Sequence, residues 1–147
     1  MYIKNLSSHT ILKLEIEEED CFIKFTTDKG TYEYYFPYNH NENQSTYFAS
    51  AIHSITGVNN LLNKKINSIK VGFKDLIPRR LGKNDYNYRK IEYKISTDDG
   101  LCVLEMRQIS CMYIRHLKHY IGLYSPRYQE IKEDYKREDY KVWLMKW

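Results

Sequence analysis

Two histidines three residues apart, His116 and His119, are the side chains whose spacing best suits shared metal binding, provided that they lie on a helix. Cys111, a short way upstream, is a donor type that zinc accepts. No second ligand cluster with the spacing of a paired CxxC or an HExxH accompanies them. We therefore expect solvated or locally hydrogen-bonded histidines, no metal site and no cofactor. A small hydrolase or nuclease built on the two histidines is the alternative.

Other motifs of catalysis are missing from the sequence. It contains no G-x-S-x-G elbow, and its glycines form neither GxGxxG nor GxxxxGK[ST]. The acidic clusters lie in charged runs, which are usually solvated faces, although carboxylates that pair only in space stay open as acid–base groups. We assign no catalytic residue, and we favour a non-enzymatic protein while leaving the question of an activity open.

A basic segment with interleaved tyrosines is the strongest candidate for a binding site. Residues 64–94 hold 10 Lys or Arg against 3 Asp or Glu, whereas the whole chain has a net charge of +4. Arg recognises phosphate and carboxylate groups, and Tyr rings stack on bases. Residues 74–89 contain Pro78 and Gly82 and are interpreted as a long exposed loop. The predicted ligand- or partner-binding residues are Arg79, Arg80, Lys83, Tyr86, Tyr88, Arg89 and Lys90.

The C-terminal segment is predicted to be a helix that begins at Ser125-Pro126, because Ser supplies a capping hydroxyl and Pro suits the first helical position. Its apolar residues fall near heptad spacing: Tyr128, Ile131, Tyr135, Val142 and Met145. Such a stripe usually packs on the parent domain and less often pairs with a second copy. Oligomer or partner contacts are predicted at Tyr135, Trp143 and Trp147.

The elements that would position these residues include two hairpins. Their turns are Asp28-Lys29-Gly30 and Asp98-Asp99-Gly100, each between runs of alternating apolar residues. Further strands are predicted around Leu12 to Ile16 and over 65–73, and residues 39–44 are interpreted as a polar loop.

Helices are predicted in two further places. Ser45 or Thr46 would cap a helix that ends at Gly57 and has Phe48, Ala51, Ile52 and Ile55 on one face. Residues 110–121 are predicted to form a helix, with a strand as the alternative. The fold class expected is therefore α+β: a mainly antiparallel sheet of about five to six strands, one or two packed helices and a C-terminal helix. We expect an α+β domain at 1–122 and a helical extension at 123–147.

Composition bears on origin and location. Lys, Asn, Ile and Tyr make up 56 of 147 residues, which a low-GC genome explains, as in phages and their low-GC hosts. Three widely spaced cysteines indicate a reducing compartment. No apolar run is long enough to span a membrane, and the N-terminus does not resemble a signal peptide. We therefore expect a cytoplasmic protein, in the host cytoplasm if it is phage-encoded.

Three stretches of the chain resemble a family of small uncharacterised phage and bacterial proteins, a domain of unknown function. They are residues 25–32, 61–66 and 93–100, so that the resemblance covers roughly 11–110. The chain departs from the family where it has Asn43-Gln44 in place of a Cys-Cys pair. The resemblance implies no activity, but it favours a phage-encoded accessory protein.

These observations lead to one expected function and one alternative. We expect a non-enzymatic phage or mobile-element accessory protein of the counter-defence type, which occupies a host protein or sequesters a small anionic ligand. The alternative is an RNA- or DNA-binding protein that uses residues 64–94. The charge distribution is compatible with a homo-oligomer, because residues 1–63 have a charge of −4 and residues 64–147 one of +8.

Overall fold

The computed structural model describes residues 3–17, 22–35, 39–41, 46–81, 84–111 and 127–136. These residues form antiparallel strands and two short 3₁₀ helices, and no helix of seven or more residues occurs among them. The expected α+β class with packed helices is therefore wrong for the described chain, which is a β structure of two sheets. None of its helices has the length and apolar character needed to cross a membrane.

The described strands, in chain order, are β1 (Thr10–Glu17), β2 (Phe22–Thr27), β3 (Gly30–Tyr35), β4 (Asn39–Asn41), β5 (Thr46–Thr56), β6 (Lys64–Lys65), β7 (Ser68–Leu81), β8 (Asn84–Thr97), β9 (Gly100–Cys111), β10 (Tyr128–Glu130) and β11 (Tyr135–Lys136). The 3₁₀ helices span Ile3–Leu6 and Val58–Asn60. The first sheet has the order β10-β1-β2-β3, and β6 also pairs with β1. The second sheet has the order β11-β5-β9-β8-β7, and β4 also pairs with β5.

Both sheets contribute alternate residues to one hydrophobic core. In β9, for example, Cys102, Leu104 and Met106 are buried, whereas the residues between them are partly exposed. This period of two is the pattern of a sheet with one face on a core. The first sheet contributes Leu14, Ile16, Ile23 and Phe25, and the second contributes Ile52, Ile55, Ile91, Ile95, Cys102, Leu104 and Met106.

The predicted helix at residues 46–57 is wrong, because this segment is the long strand β5. The pairing of β5 with β9 shifts register between Ile52 and Ser54, where one extra residue is inserted. The shift lets Ile52 and Ile55 both face the core although they are three residues apart. The bulge therefore gives the apolar residues of β5 a spacing that is typical of a helix.

The predicted loop at 74–89 is also wrong, because it forms the ends of β7 and β8 and pairs up to Leu81↔Asn84. Pro78 lies where the register of this pair shifts, between Leu76 and Arg79. Among the described strands, β7 lies at the edge of the second sheet, and proline is tolerated on edge strands and at bulges because it has no N–H to donate. The proline thus marked a bulge rather than a loop.

Both predicted hairpins are present, and their turns are built alike. In the first, the Thr27 hydroxyl donates to the Gly30 carbonyl at 3.0 Å and accepts from the amide two residues ahead at 3.0 Å. In the second, the Thr97 hydroxyl accepts from the amide two residues ahead at 3.2 Å and lies 3.5 Å from the Gly100 carbonyl, while it donates its proton to the Asn60 carbonyl. Gly30 and Gly100 have φ of 136° and 140°, a conformation that favours glycine.

Residues 128–136, which we call the strap, cross from one sheet to the other. β10 pairs with β1, and β11 pairs with β5. Between them, the Ile131 amide donates to the Leu14 carbonyl at 2.8 Å, and the Ile131 side chain is buried. The Asp134 carboxylate accepts a hydrogen bond from the Val58 amide at 3.0 Å. The predicted C-terminal helix is therefore wrong over the strap, and its remainder, residues 137–147, lies outside the described residues.

Three further expectations concern segments that are described only in part. Asn39–Asn41, expected in a polar loop, forms β4, and residues 42–44 lie outside the described residues. Ser110 and Cys111, expected to begin a helix or strand, belong to β9, and 112–121 lie outside. The expected domain boundary at 122/123 falls in the same undescribed segment and stays a prediction.

Candidate binding face and pocket on the second sheet

Cationic residues occupy paired positions on the outer side of the second sheet. Lys70 of β7 pairs with Lys94 of β8. Four residues along β7, Lys74 pairs with Lys90, which in turn pairs with Arg107 of β9. Directly paired residues of antiparallel strands share a face, as do residues two or four apart on one strand. These five residues therefore form one surface, which we call the basic face.

Between the two cationic rows lies a row with carboxylates. Glu92 of β8 pairs with Gly72 of β7 and with Glu105 of β9. Lys90 lies 3.3 Å from the Glu92 carboxylate and 3.2 Å from Oε1 of Glu105. Arg107 donates from Nε and Nη2 to Oε2 of Glu105, at 3.1 Å and 2.8 Å. Lys90 and Arg107 are thus largely neutralised within the face.

The three other lysines of the basic face are in a different state. Lys70, Lys74 and Lys94 are exposed, and no described carboxylate lies within ion-pair distance of any of them. Their positive charge is therefore presented to solvent, and they are the groups of this face best able to hold an anion.

Glu105 is the centre of the charged network. His53 Nε2 lies 3.4 Å from its Oε2, the oxygen that also accepts from Arg107. Burial alone would raise the pKa of Glu105, but the hydrogen bond from Lys90 and the charge of Arg107 outweigh it and lower that pKa. Glu105 is therefore ionised at neutral pH.

The pKa of His53 is lowered from its ordinary value. Burial is the main cause, the positive charge of Arg107 adds to it, and the negative charge of Glu105 opposes it. His53 is therefore neutral at pH 7 and gains its charge only under more acidic conditions. The hydrogen bond to Glu105 raises the pKa of Lys90, so that this lysine stays charged.

A shallow pocket of about 410 Å³ lies beside this network, between β5, β9 and the strap. Its lining residues have polar or charged groups and include both signs of charge: His53, Ser54, Thr56, Glu105, Arg107, Asp134, Tyr135 and Lys136. Among the residues that the structure describes, no group of three or more His, Cys, Asp or Glu side chains is placed to hold a metal ion. His116 and His119 lie outside those residues.

The structure places the predicted binding residues along the β7–β8 hairpin. Arg79 pairs with Tyr86 and Arg80 with Asp85, while Tyr88 pairs with Leu76 and Arg89 with Asp75. Lys90 is brought into the basic face, and Lys83 lies outside the described residues. Of the predicted oligomer or partner contacts, Tyr135 belongs to β11 and lines the pocket, and Trp143 and Trp147 lie outside. These assignments stay predictions.

Several residues of the face and the pocket were not predicted from the sequence. Glu105 and Arg107 flank buried Met106, and this alternation within a predicted strand already indicated that the two charges share the outer face. The sequence did not indicate that His53 lies beside these charges, because the residues around it were predicted to form a helix. Its position depends on the bulge in β5, which the spacing of apolar residues concealed.

No family model matches this chain, and comparison with curated proteins and with solved structures found no relative. The resemblance to the family of small phage and bacterial proteins therefore stays a prediction, and function has to be argued from the face and the pocket themselves.

Proposed function

We propose that this protein is a non-enzymatic binding protein that holds a nucleic acid by its phosphate backbone against the basic face. The observation that carries the proposal is the solvent-exposed positive charge of Lys70, Lys74 and Lys94, which no described carboxylate neutralises. Contacts of lysine with phosphate, and the release of counterions that accompanies them, supply most of the sequence-independent affinity for nucleic acid.

The distribution of charge along the hairpin supports an extended anionic partner. Residues 68–97 include eight Lys or Arg and three Asp or Glu, spread along both strands rather than clustered at one point. β7 has 14 residues, which corresponds to roughly 45 Å at about 3.3 Å per residue. Basic residues distributed over a hairpin of this length suit a polymer of phosphates better than a single small anion.

An acidic surface of a host protein is the second candidate partner. It is favoured by Glu92 and Glu105, which alternate with the cations and make the central part of the face mixed in sign. The role of a phage or mobile-element accessory protein of the counter-defence type, proposed from composition, suits either partner. The genes that neighbour this one would test that role.

The experiment is a titration of fluorescently labelled duplex DNA and RNA with the protein over a series of salt concentrations. The test variant is Lys70→Gln/Lys94→Gln, which removes a cross-strand pair of exposed charges. If each lysine contacts one phosphate, the slope of log K against log salt falls by about 1.8, at roughly 0.9 for each phosphate contact.

The control is Lys4→Gln/Lys132→Gln, which lowers the net charge by the same amount at exposed positions away from the basic face. We expect this control to keep the slope of the wild type. Absence of saturable binding to both polymers at about 50 mM salt, or an equal loss in the two double variants, would contradict the proposal. In the first of these cases the acidic host protein becomes the better candidate.

A further inference from the structure

The pocket beside Glu105 has two walls of different origin. One consists of residues from β5 and β9, and the other consists of Asp134, Tyr135 and Lys136 from the strap. Any ligand that contacts both walls binds only while the strap is docked. Occupation of the pocket and docking of the strap are therefore linked, because a ligand stabilises the state that it binds.

The two carboxylates of the pocket already have hydrogen-bond partners. Glu105 accepts from Arg107 on one oxygen and contacts Lys90 with the other, and Oδ1 of Asp134 accepts from the Val58 amide. Lys136 is exposed, and no described carboxylate lies within ion-pair distance of it. Lys136 is therefore the charged group of this pocket best able to act on a ligand.

Cationic groups from two strands face the same space. Arg107 of β9 and Lys136 of β11 both act electrostatically on His53 of β5, and both lower its pKa. Of the two, Lys136 has no described carboxylate within ion-pair distance, whereas Glu105 offsets much of the charge of Arg107. The hydroxyls of Ser54 and Thr56 line the same space, and hydroxyls with Arg and Lys are common ligands of phosphate groups.

We propose that this pocket binds a small phosphate-bearing ligand that bridges β9 and the strap through Arg107 and Lys136. A volume of about 410 Å³ lies within the range of small-molecule sites, roughly 300–1,000 Å³, and leaves room for an organic group beside the phosphate. The site shares Arg107 with the basic face but contains none of the exposed lysines of β7 and β8, and phosphate binding there does not depend on nucleic-acid binding.

The affinity of this site increases as the pH falls. Lys90, Glu105 and Arg107 face His53 from the sheet, and Asp134 and Lys136 line the same pocket from the strap. With His53 neutral, the charges of the pocket lining balance, whereas protonation of His53 adds one positive charge next to the ligand. Sulfate is the suitable probe of this effect, because its own charge does not change between about pH 5 and 8.

The test is calorimetric titration of the full chain with inorganic phosphate and with a nucleoside monophosphate, together with hydrogen exchange of the strap. The variants are Lys136→Gln and Thr56→Val, and Lys132→Gln is the matched control because it lies on the strap but not in the pocket. We expect Lys136→Gln to weaken binding roughly three- to tenfold, Thr56→Val to weaken it less, and the control to bind as the wild type does.

The possible outcomes distinguish the ligand classes and test the proposal. Tighter binding of the nucleoside monophosphate assigns the site to an organic phosphate, and equal binding assigns it to free phosphate. Slower exchange at Ile131 in the presence of ligand supports the bridge to the strap. No binding of either probe at about 10 mM, or unchanged binding in Lys136→Gln, would overturn the proposal. The variant Lys70→Gln/Lys94→Gln should keep phosphate binding, so that failure here is distinct from failure of the basic face.

Discussion

The strap offers the sharpest test of how this structure is held together. Ile131 is its central anchor: the side chain is 4% exposed, and the amide donates to β1. The substitution Ile131→Ala removes three buried carbons, which at about 0.8 kcal/mol each corresponds to roughly 2.4 kcal/mol before any cavity term. Substitutions of this kind in a rigid core cost about 2–5 kcal/mol.

The strap, however, pairs with the two sheets over short strands. Its two strands contain three and two residues, and Asp134 adds one side-chain hydrogen bond. If the free energy of undocking the strap is smaller than the free-energy cost of a buried cavity, the strap of the variant undocks and no cavity remains. We therefore expect the free energy of unfolding to fall by about 2 kcal/mol or less.

The assay combines urea denaturation with hydrogen exchange. Ile95→Ala is the matched control, because Ile95 is 1% exposed and its strand, β8, is paired on both sides, with β7 and with β9, so that it has no local way to leave the core. We expect this control to cost about 2–5 kcal/mol globally, whereas Ile131→Ala should mainly speed exchange at the strap. An equal global loss in both variants, with strap exchange unchanged relative to the rest of the protein, would refute the reasoning.

Further predictions concern single residues. Gly57→Ala should destabilise the fold by more than about 1–2 kcal/mol in urea denaturation, because Gly57 has φ of 77° and an added Cβ would overlap a backbone carbonyl of β9. Gly72→Ala meets no atom within 4 Å and should leave the stability unchanged or raise it by up to about 1 kcal/mol. Burial raises the pKa of Cys102 to about 12, so that its thiol should resist alkylation at pH 8 until urea unfolds the protein, as peptide mapping would show. Because the pKa of Glu105 is lowered in the fold, its ionised form contributes stability that is present above the usual value of about 4.3 and is lost as the pH falls through the lower folded value. The stability of the wild type relative to Glu105→Gln should therefore shrink between pH 7 and 3, and a difference independent of pH would contradict this.

The parts of the fold that were predictable are those in which local chemistry decides the structure. An Asp residue and a Gly residue between alternating apolar runs specified both hairpins, because the glycine alone tolerates the φ that each turn needs. The alternation of buried and exposed residues in β1, with Leu14 and Ile16 in the core, could also be predicted from the sequence. In each case the information lies within a few consecutive residues.

The failures share one cause, namely pairing between distant parts of the chain. β5 has apolar spacing that suits a helix, and only its ladder with β9 and the bulge at Ile52 make it a strand. The strap has helix-starting chemistry before it, yet it pairs with β1 and β5, which lie about 80 residues or more away in sequence. The candidate site could be predicted only in part for the same reason. Lys90 was predicted, but His53 and Glu105 are brought together only by the pairing of β5 with β9.

The position of β7 at the border of the second sheet bears on whether the molecule stays soluble. Of the strands that the structure describes, β7 is the outermost in this sheet, and an outermost strand of 14 residues offers a long row of main-chain groups onto which another polypeptide could add and so begin a fibre. Lys70 and Lys74 repel an incoming cationic copy of the same strand, and Pro78 interrupts the row of donors. The lysines proposed to bind a nucleic acid thus also oppose the addition of further copies of the chain to β7. Variants that neutralise them should be screened for aggregation before any loss of binding is interpreted.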